Sequence, residues 1–519
     1  MITPCRSLVA SLLLCTAAVF VAPPADATST FSELWGRDGE KWTTDGPLPD
    51  FSFAGYHAGE ISPPSVPQVN DVKTFGATGD GVTDDTRAIQ AAIDATRAGA
   101  VYLPPGRYLI SDFLHISRSG VVLRGAGPEK SVLWFPRGLD AIHPREGKAS
   151  DGRRASGYSF DGAFVNIEGN YGEKTLARVT SAARRGDHEL RVDNPVALSI
   201  GQTLVLTLTE DKDLSLTRYL YRDDPGDLSH AKSFGTRMIL RVVAKDGDTV
   251  RFDRPLRFET RAAWSPELRA FNPSVTESGV ESLGFAFPAT PYGGHFKESG
   301  YNAIELRSVY HCWVRDVVVH NGDLGVNLVA RACTLDGVRL TADPARGIKD
   351  GGVSDCTGHH GIQLKHSEDN LVVNFAIDAP YIHDLTVEDS SGNVFARGRG
   401  RDLTLDHHKD TPYENLFTAL DCGRGTRSWL SGGGAGLGRH SAGWSVFWNL
   451  RATRELRPPA ADWGPSNLVL VGLQTAKSAG VTSRAPWIEV TPPDSLQPDD
   501  LHAAQLRRRL EQPSPQPRP

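Results

Sequence analysis

Asparagine recurs at the head of short apolar runs in the second half of the chain, at a spacing that few folds accommodate. Asn370 opens Asn-Leu-Val-Val, Asn393 opens Asn-Val-Phe-Ala and Asn415 opens Asn-Leu-Phe-Thr, at intervals of 23 and 22 residues. Asp384 and Asp402 head Asp-Leu-Thr-Val and Asp-Leu-Thr-Leu, 18 apart, and Cys312, Cys333 and Cys356 follow one another at intervals of 21 and 23. A repeat near 20 residues, with one or two short strands per turn, describes a solenoid in which each coil buries its apolar side chains on the next. The Asn row fits an internal ladder of stacked amides. It fits equally the tolerance of Asn for the left-handed turns such coils need. Both readings give the same all-β architecture, with the repeat interrupted at 343–355.

Composition agrees. The 519 residues are 39% hydrophobic and 23% charged, enough for a long core, and 52 Gly with 34 Pro favour a turn-rich β protein. A formal charge of −6 over this length points to neither nucleic acid nor an anionic membrane. The N-terminus reads as an export signal over 1–27: Arg6, an apolar run over 8–21, then Ala25-Asp26-Ala27 as a cleavage site. A secreted or periplasmic protein is expected. No later stretch approaches the roughly 20 apolar residues a spanning helix requires. Four cysteines then remain, and Cys312 with Cys333 is either a bridge between coils or part of a column of buried thiols.

Residues 28–70, rich in aromatics and prolines, read as an extended arm laid on a larger body. Next come a strand, a Gly-rich turn and an amphipathic helix over 71–94, with Asp84 or Asp85 as its cap and Ile89, Ala92, Ile93 and Thr96 on one face. Val101-Tyr-Leu-Pro-Pro-Gly-Arg-Tyr-Leu-Ile and Val121-Val-Leu-Arg-Gly-Ala-Gly supply three further strands. The block 71–127 resembles the opening of the pectate-lyase-like proteins, a group that includes tailspike-type depolymerases and fungal exo-glucanases. Their pattern, GA-x-GDG-x-x-DDT-x-A-IQ-x-A-I followed by LPPG-x-Y and L-x-G-x-G, is present here. The resemblance implies a right-handed parallel β-helix over 71–490 whose N-terminal end is plugged by the short helix. It implies no particular reaction, because that superfamily holds lyases, hydrolases and non-enzymes.

Between about 164 and 271 the coil pattern lapses. Gln202-Thr-Leu-Val-Leu-Thr-Leu and Thr249-Val-Arg-Phe-Asp alternate like antiparallel strands, with Asp246-Gly-Asp-Thr as a hairpin turn, so a small β insertion is expected beside the helix. Ser431-Gly-Gly-Gly-Ala-Gly reads as a flexible loop. In the tail, 491–519, a short helix is expected over 501–510, with disorder beyond it.

A β-helix has no internal cavity, so a site must lie on an outward strand face. Six of the 16 histidines fall within 50 residues: His359, His360, His366, His383, His407 and His408. Lys365, Lys409, Arg397, Arg399, Arg401 and Asp406 lie among them, and His295, Lys297, Arg427, Trp429 and His440 flank them. β-Elimination from a uronate needs its carboxylate neutralised, a base for the C5 proton and an acid for the leaving oxygen. Basic side chains with His as acid and base suit an acidic polysaccharide. Lys365, His366 and His408 are candidates for base or acid, with Asp406 beside them and Arg397 to hold a carboxylate. His359, His360, His383, His407, Arg399, Lys409, Arg427 and Trp429 are candidates for binding. Calcium is compatible with this chemistry, with no ligand set legible, and monomer and homotrimer are equally compatible. Glycoside hydrolysis is the alternative and needs two carboxyl groups, for which Asp384, Asp402 and Asp406 are candidates, with Glu388 and Glu414 in reserve. Gly358-His-His-Gly is similar to the Gly-His-Gly of polygalacturonases, but the paired aspartates and Arg-x-Lys of that family have no counterpart here. A non-catalytic glycan-binding protein is the third reading.

Overall fold

The computed structural model describes residues 29–149, 152–231, 235–474, 480–482 and 487–511. The expected signal segment and the last residues of the tail lie outside them. Strands of successive coils pair in parallel, so the chain winds as a right-handed parallel β-helix. One wall is a seven-stranded sheet whose last three strands are Gly358–Lys365, Tyr381–Glu388 and Leu405–His407. Val326, Ile362, Leu385 and Leu405 stack in register along its inner face, all fully buried. Each such aliphatic side chain contributes about 1.5–3 kcal/mol by leaving water.

The rest of each coil is a ladder bent at a corner. Asn374, Arg397, Ala419 and Asn449 occupy the bend in successive coils, each in the left-handed region (φ 50–56°). A repeated left-handed residue turns the strand without breaking its register.

The Asn row is an amide ladder. Asn370 Nδ2 donates to Asn393 Oδ1 (3.0 Å) and Asn393 Nδ2 to Asn415 Oδ1 (3.1 Å), and all three side chains are buried. The same oxygens accept the backbone N–H of Asn370 and Asn393, so the ladder also satisfies the turns. Asn393→Ala removes the acceptor of the buried Asn370 N–H; a loss of about 1–3 kcal/mol is expected in urea unfolding. Cys312, Cys333, Cys356 and Cys422 are buried and unbridged; Cys312, Cys333 and Cys422 lie in the main core, whereas Cys356 packs in a separate cluster with Tyr292, Val353 and Ile382.

The helix Thr86–Ala95 forms as expected, and Ile89, Ala92 and Ile93 join the main core. Asp84 accepts the Thr86 N–H (3.0 Å), whereas Asp85 is turned away to accept from Thr78 (2.6 Å) and Gly79 (2.9 Å) of the glycine turn.

The insertion begins later than expected. Val165–Glu168 still pairs in parallel with Leu114–Ile116 and with Asn302–Tyr310, so the coil pattern continues through it. A six-stranded antiparallel sheet then runs from Thr175–Arg178 to Glu267–Ala270, around its own core of Leu204, Leu206, Leu240, Phe252 and Trp264. It docks on the coils through buried ions. Arg254 and Arg257 meet Asp369, Arg257 also reaches Glu414 (3.1 Å), and Arg237 reaches Glu368 (3.1 Å).

The N-terminal arm and the C-terminal helix Leu501–Glu511 both cover the outside of the bent ladder. Trp35, Phe51, Ala54, Leu501 and Ala504 pack there on Val373, Val394, Leu416 and Trp448. The seven-stranded wall is left to be covered by loops, and there the polar side chains collect. No helix of the described residues is long and apolar enough to cross a membrane.

Candidate active site

Alternation along a strand decides which side chains face the loops. Leu385 pairs with Leu405, Thr386 with Asp406 and Val387 with His407. The Leu405 side chain belongs to the core, so Asp406 faces outward and His407 inward. Glu305, Asn327, Gln363, Thr386 and Asp406 thus form one row across five coils. All five are buried, and Asn327 Oδ1 and Gln363 Oε1 have no hydrogen-bond partner among the described residues.

Asp406 anchors the downstream end. His408 Nδ1 lies 2.7 Å from its Oδ2, and Thr386 Oγ1 donates to the same oxygen (3.3 Å). The Gly432 N–H donates to Oδ1 (2.7 Å). His383 Nδ1 is 3.1 Å from Oδ2 but out of line for a hydrogen bond. Burial alone would raise the Asp406 carboxyl, but His383, His408 and the Gly432 N–H hold it well below the usual range. The two histidines diverge. Burial, reinforced by His408, pulls His383 down to about 3 despite Asp406. His408 is also penalised by burial, yet the Asp406 charge outweighs this and raises it. At neutral pH His383 is therefore neutral and His408 holds its proton more tightly than a free histidine. His408 also reaches solvent more, with 21% of its side chain exposed against 9% for His383.

The imidazoles continue upstream. Ring centroids lie 5.1 Å apart for His383 and His360, 4.1 Å for His360 and His359, and 4.6 Å for His359 and His295. His359 Nδ1 stands 3.1 Å from Glu298, which also accepts from Tyr292 Oη (2.7 Å). Burial pushes Glu298 up, but His359, Ser159 and Tyr292 outweigh it and hold the carboxyl near 2. Burial pulls His295 down to about 4. Lys365, paired with Glu388 (3.1 Å), borders the cluster, and both charges are felt by His408.

The glycine-rich loop closes over Asp406, and the insertion holds that loop. His230 N–H donates to the Gly436 carbonyl (2.9 Å), Gly438 N–H to that of Asp227 (2.8 Å), and Arg439 pairs with Asp224 (2.6 Å). A Cβ at Gly432 would collide with the His408 ring and come 2.9 Å from His383 Cε1. Gly432→Ala is expected to displace both rings with little change in Tm, read from the His383 and His408 imidazole NMR signals beside thermal unfolding.

The remaining candidates lie elsewhere. Arg397 sits at a strand corner and pairs with Asp500 before the C-terminal helix. Arg399 pairs with Asp378 (2.7 Å) on the bent ladder. His407 faces the core against Phe417, Phe447 and Trp463, where burial pulls it to about 4. Arg427 donates to the carbonyls of Tyr381 (2.7 Å) and Ile382 (2.8 Å), and Trp429 packs edge-on against Phe447 and Trp463, so both support strands and core. His366 pairs with Asp389 (2.6 Å) in the turn beyond Lys365, and Lys409 lies beside Gly433. Asp384, inside its strand, and Asp402 tie neighbouring coils together, accepting from Thr404 N–H (2.9 Å) and Thr426 N–H (2.7 Å) respectively. Glu298 and Gly432 were not among the expected site residues. The glycine run did mark a loop, but no spacing links Glu298 to the histidines.

His383, Asp406 and His408 each present a ligand atom within 4.8 Å of the others, a set suited to a transition metal. Calcium takes six to eight oxygens, and one carboxylate with two imidazoles does not fit it.

The fold and this outward polar row define a right-handed parallel β-helix with a polar site on one wall. Residues 69–149 match a family model described as rhamnogalacturonase A/epimerase, pectate lyase-like. That match ends before the first residue of the site. Alginate lyase 7 of Azotobacter vinelandii is 41% identical over 113 residues, which is 19% of this chain and 13% of that protein. Mannuronan C5-epimerase AlgE6 of the same organism is 51% identical over 72 residues, 12% of this chain and 8% of that protein. The matched stretches therefore span about a tenth of those relatives. Among solved structures, the tailspike protein gp49 of Pseudomonas phage LKA1 is 13% identical with a TM-score of 0.41, covering 74% of this chain and 64% of that one.

Proposed function

We propose that this chain acts on a polysaccharide and cleaves a uronate-containing one by β-elimination at His383, Asp406 and His408. The observation that carries the reading is the pair of imidazoles beside one carboxylate that are shifted in opposite directions, His383 down and His408 up, since groups driven apart in this way divide the base and acid roles. A nitrogen of neutral His383 takes the C5 proton, and the electron pair passes toward the carboxylate, whose charge Lys365 offsets. The C4–O bond then breaks, leaving a C4–C5 double bond, and His408 protonates the departing oxygen. Asp406 strengthens the hold of His408 on its proton and fixes its ring. The names of the relatives, an alginate lyase and a mannuronan C5-epimerase, support a uronate polymer as substrate.

Hydrolysis fits less well. It needs a carboxyl group that stays protonated as the acid, and Asp406 and Glu298 are both held low. Asp384 is pushed up by burial to about 6, but its oxygens are taken by Thr404 and Tyr381 inside the wall.

The test is incubation with polymannuronate, polyguluronate and pectate in D2O, following ultraviolet absorbance, reducing ends and NMR. Absorbance rising with reducing ends is expected. Deuterium at C5 without cleavage would make the reaction an epimerisation and remove the acid role from His408. Reducing ends without absorbance would replace elimination by hydrolysis. Binding without turnover would make the chain a glycan-binding protein.

A further inference from the structure

A second group of metal-ligating side chains gathers at the turn that follows the wall strand Asn302–Tyr310, where the N-terminal arm crosses the coils. His57 comes from the arm, Glu277 from the turn before strand Gly279–Ala286, and His311 from the turn before strand Trp313–His320. Among the described residues, this trio and His383–Asp406–His408 are the groups of three with ligand atoms within 4.8 Å of one another.

We propose that His57, Glu277 and His311 form a site for a divalent transition-metal ion of the zinc class, which fastens the arm to the coils. The donor set is two imidazoles and one carboxylate, the chemistry that selects such ions over calcium or magnesium. His57 Nε2 lies 2.8 Å from Glu277 Oε1, and His311 Nδ1 lies 3.9 Å from the same oxygen. Ligand atoms around tetrahedral zinc, with bonds of about 2.0–2.1 Å, stand roughly 3.4 Å apart, between those two values.

The surroundings are built as for a metal site. Tyr56 donates from its hydroxyl to Glu277 Oε2, the oxygen that His57 does not use, and so orients the carboxylate. Tyr310 stacks on the His311 ring at 3.7 Å, and the two imidazoles face each other at 4.0 Å. All three ligand residues have left-handed backbones (φ 45°, 56° and 51°), and His57 shares that strain with Ala58 (φ 54°). Such conformations persist in non-glycine residues where the surroundings hold them. His57 and His311 line a cavity of about 260 Å³ between arm and insertion, so an ion has a way in and a fourth position stays open to water.

The experiment uses the purified chain, stripped with chelator and titrated with ZnCl2 calorimetrically, with Co2+ visible spectroscopy as the second readout. His57→Ala and Glu277→Gln are expected to lose one equivalent of Zn2+, the matching Co2+ bands and the Zn2+-dependent rise in Tm. His57 is partly exposed on the arm, so the fold should survive its replacement. Tyr56→Phe is expected to weaken binding on the order of tenfold. Asp406→Asn separates the two groups, because it leaves this equivalent in place. No Zn2+ binding by the unmutated chain would overturn the proposal. So would a number of equivalents unchanged between His57→Ala and the unmutated chain, or a loss seen only in Asp406→Asn.

Discussion

Asp406→Asn should lower kcat on a uronate polymer by about 10²- to 10⁴-fold, the usual contribution of one acid–base group. The variant keeps an oxygen for Gly432 N–H but removes the charge that raises His408. The sign follows. His408 titrates above its ordinary value in the folded chain, so activity that needs its proton extends above that ordinary value and falls as pH rises through the raised one. In Asp406→Asn that alkaline limb moves to lower pH. Stability linked to the charged His408 is likewise complete below the ordinary value near 6.5 and lost above the raised one. Arg399→Ala is the control. Its partner Asp378 and its place on the bent ladder lie outside the cluster, so kcat and the pH profile should not move. Pre-steady-state rates across pH 5–10 check both. A D406N profile parallel to that of the unmutated chain would remove Asp406 from the protonation of His408.

Asp369→Ala should be the most damaging single change to stability, at about 3–5 kcal/mol, because it leaves buried guanidinium charge uncompensated. Asp369 accepts from Arg254 (2.8 and 3.1 Å) and from Arg257, and all three side chains are no more than 6% exposed. Burial favours the neutral acid, but the two arginines overcome it and lower the Asp369 carboxyl. A depressed carboxylate stabilises above its unfolded value, near 3.9, and loses that contribution as pH falls through the folded value. The gap between the variant and the unmutated chain should therefore be full at pH 6 and shrink only in acid, as measured by urea unfolding. Because these arginines belong to the insertion, and the insertion holds the glycine-rich loop over Asp406, kcat should fall with stability.

Several elements were legible because their signals are local or periodic. The Asn370–Asn393–Asn415 spacing revealed the solenoid, since only a coil of that length brings the three amides into line. The helix from Thr86 was readable from its apolar face, and the antiparallel insertion from its alternating strands. The start of the insertion was not, because Val165–Glu168 has the same short apolar look whether it joins the coils or the insertion. Only its partners decide.

The histidine-rich segment stands out in the sequence by concentration alone, which treats its members alike. Asp406 and His407 are adjacent, and strand alternation sends one to the loops and the other into an aromatic core. That separation followed from placing Leu405 inward, so the signal was present. Arg397 was beyond reach of that rule, because the left-handed corner at its position turns it toward Asp500. Glu298 and Gly432 arrive from loops on either side of the three strands, and no repeat relates them to His359 or Asp406.

The sequence by itself determined the coil, its internal ladder and the region in which polar side chains accumulate, because these depend on contacts repeated at one fixed separation. Only the tertiary structure decided which imidazoles share a carboxylate, which bases face the core and which loops close the site. Those outcomes depend on single contacts between distant segments, and on a burial and field that no segment carries alone.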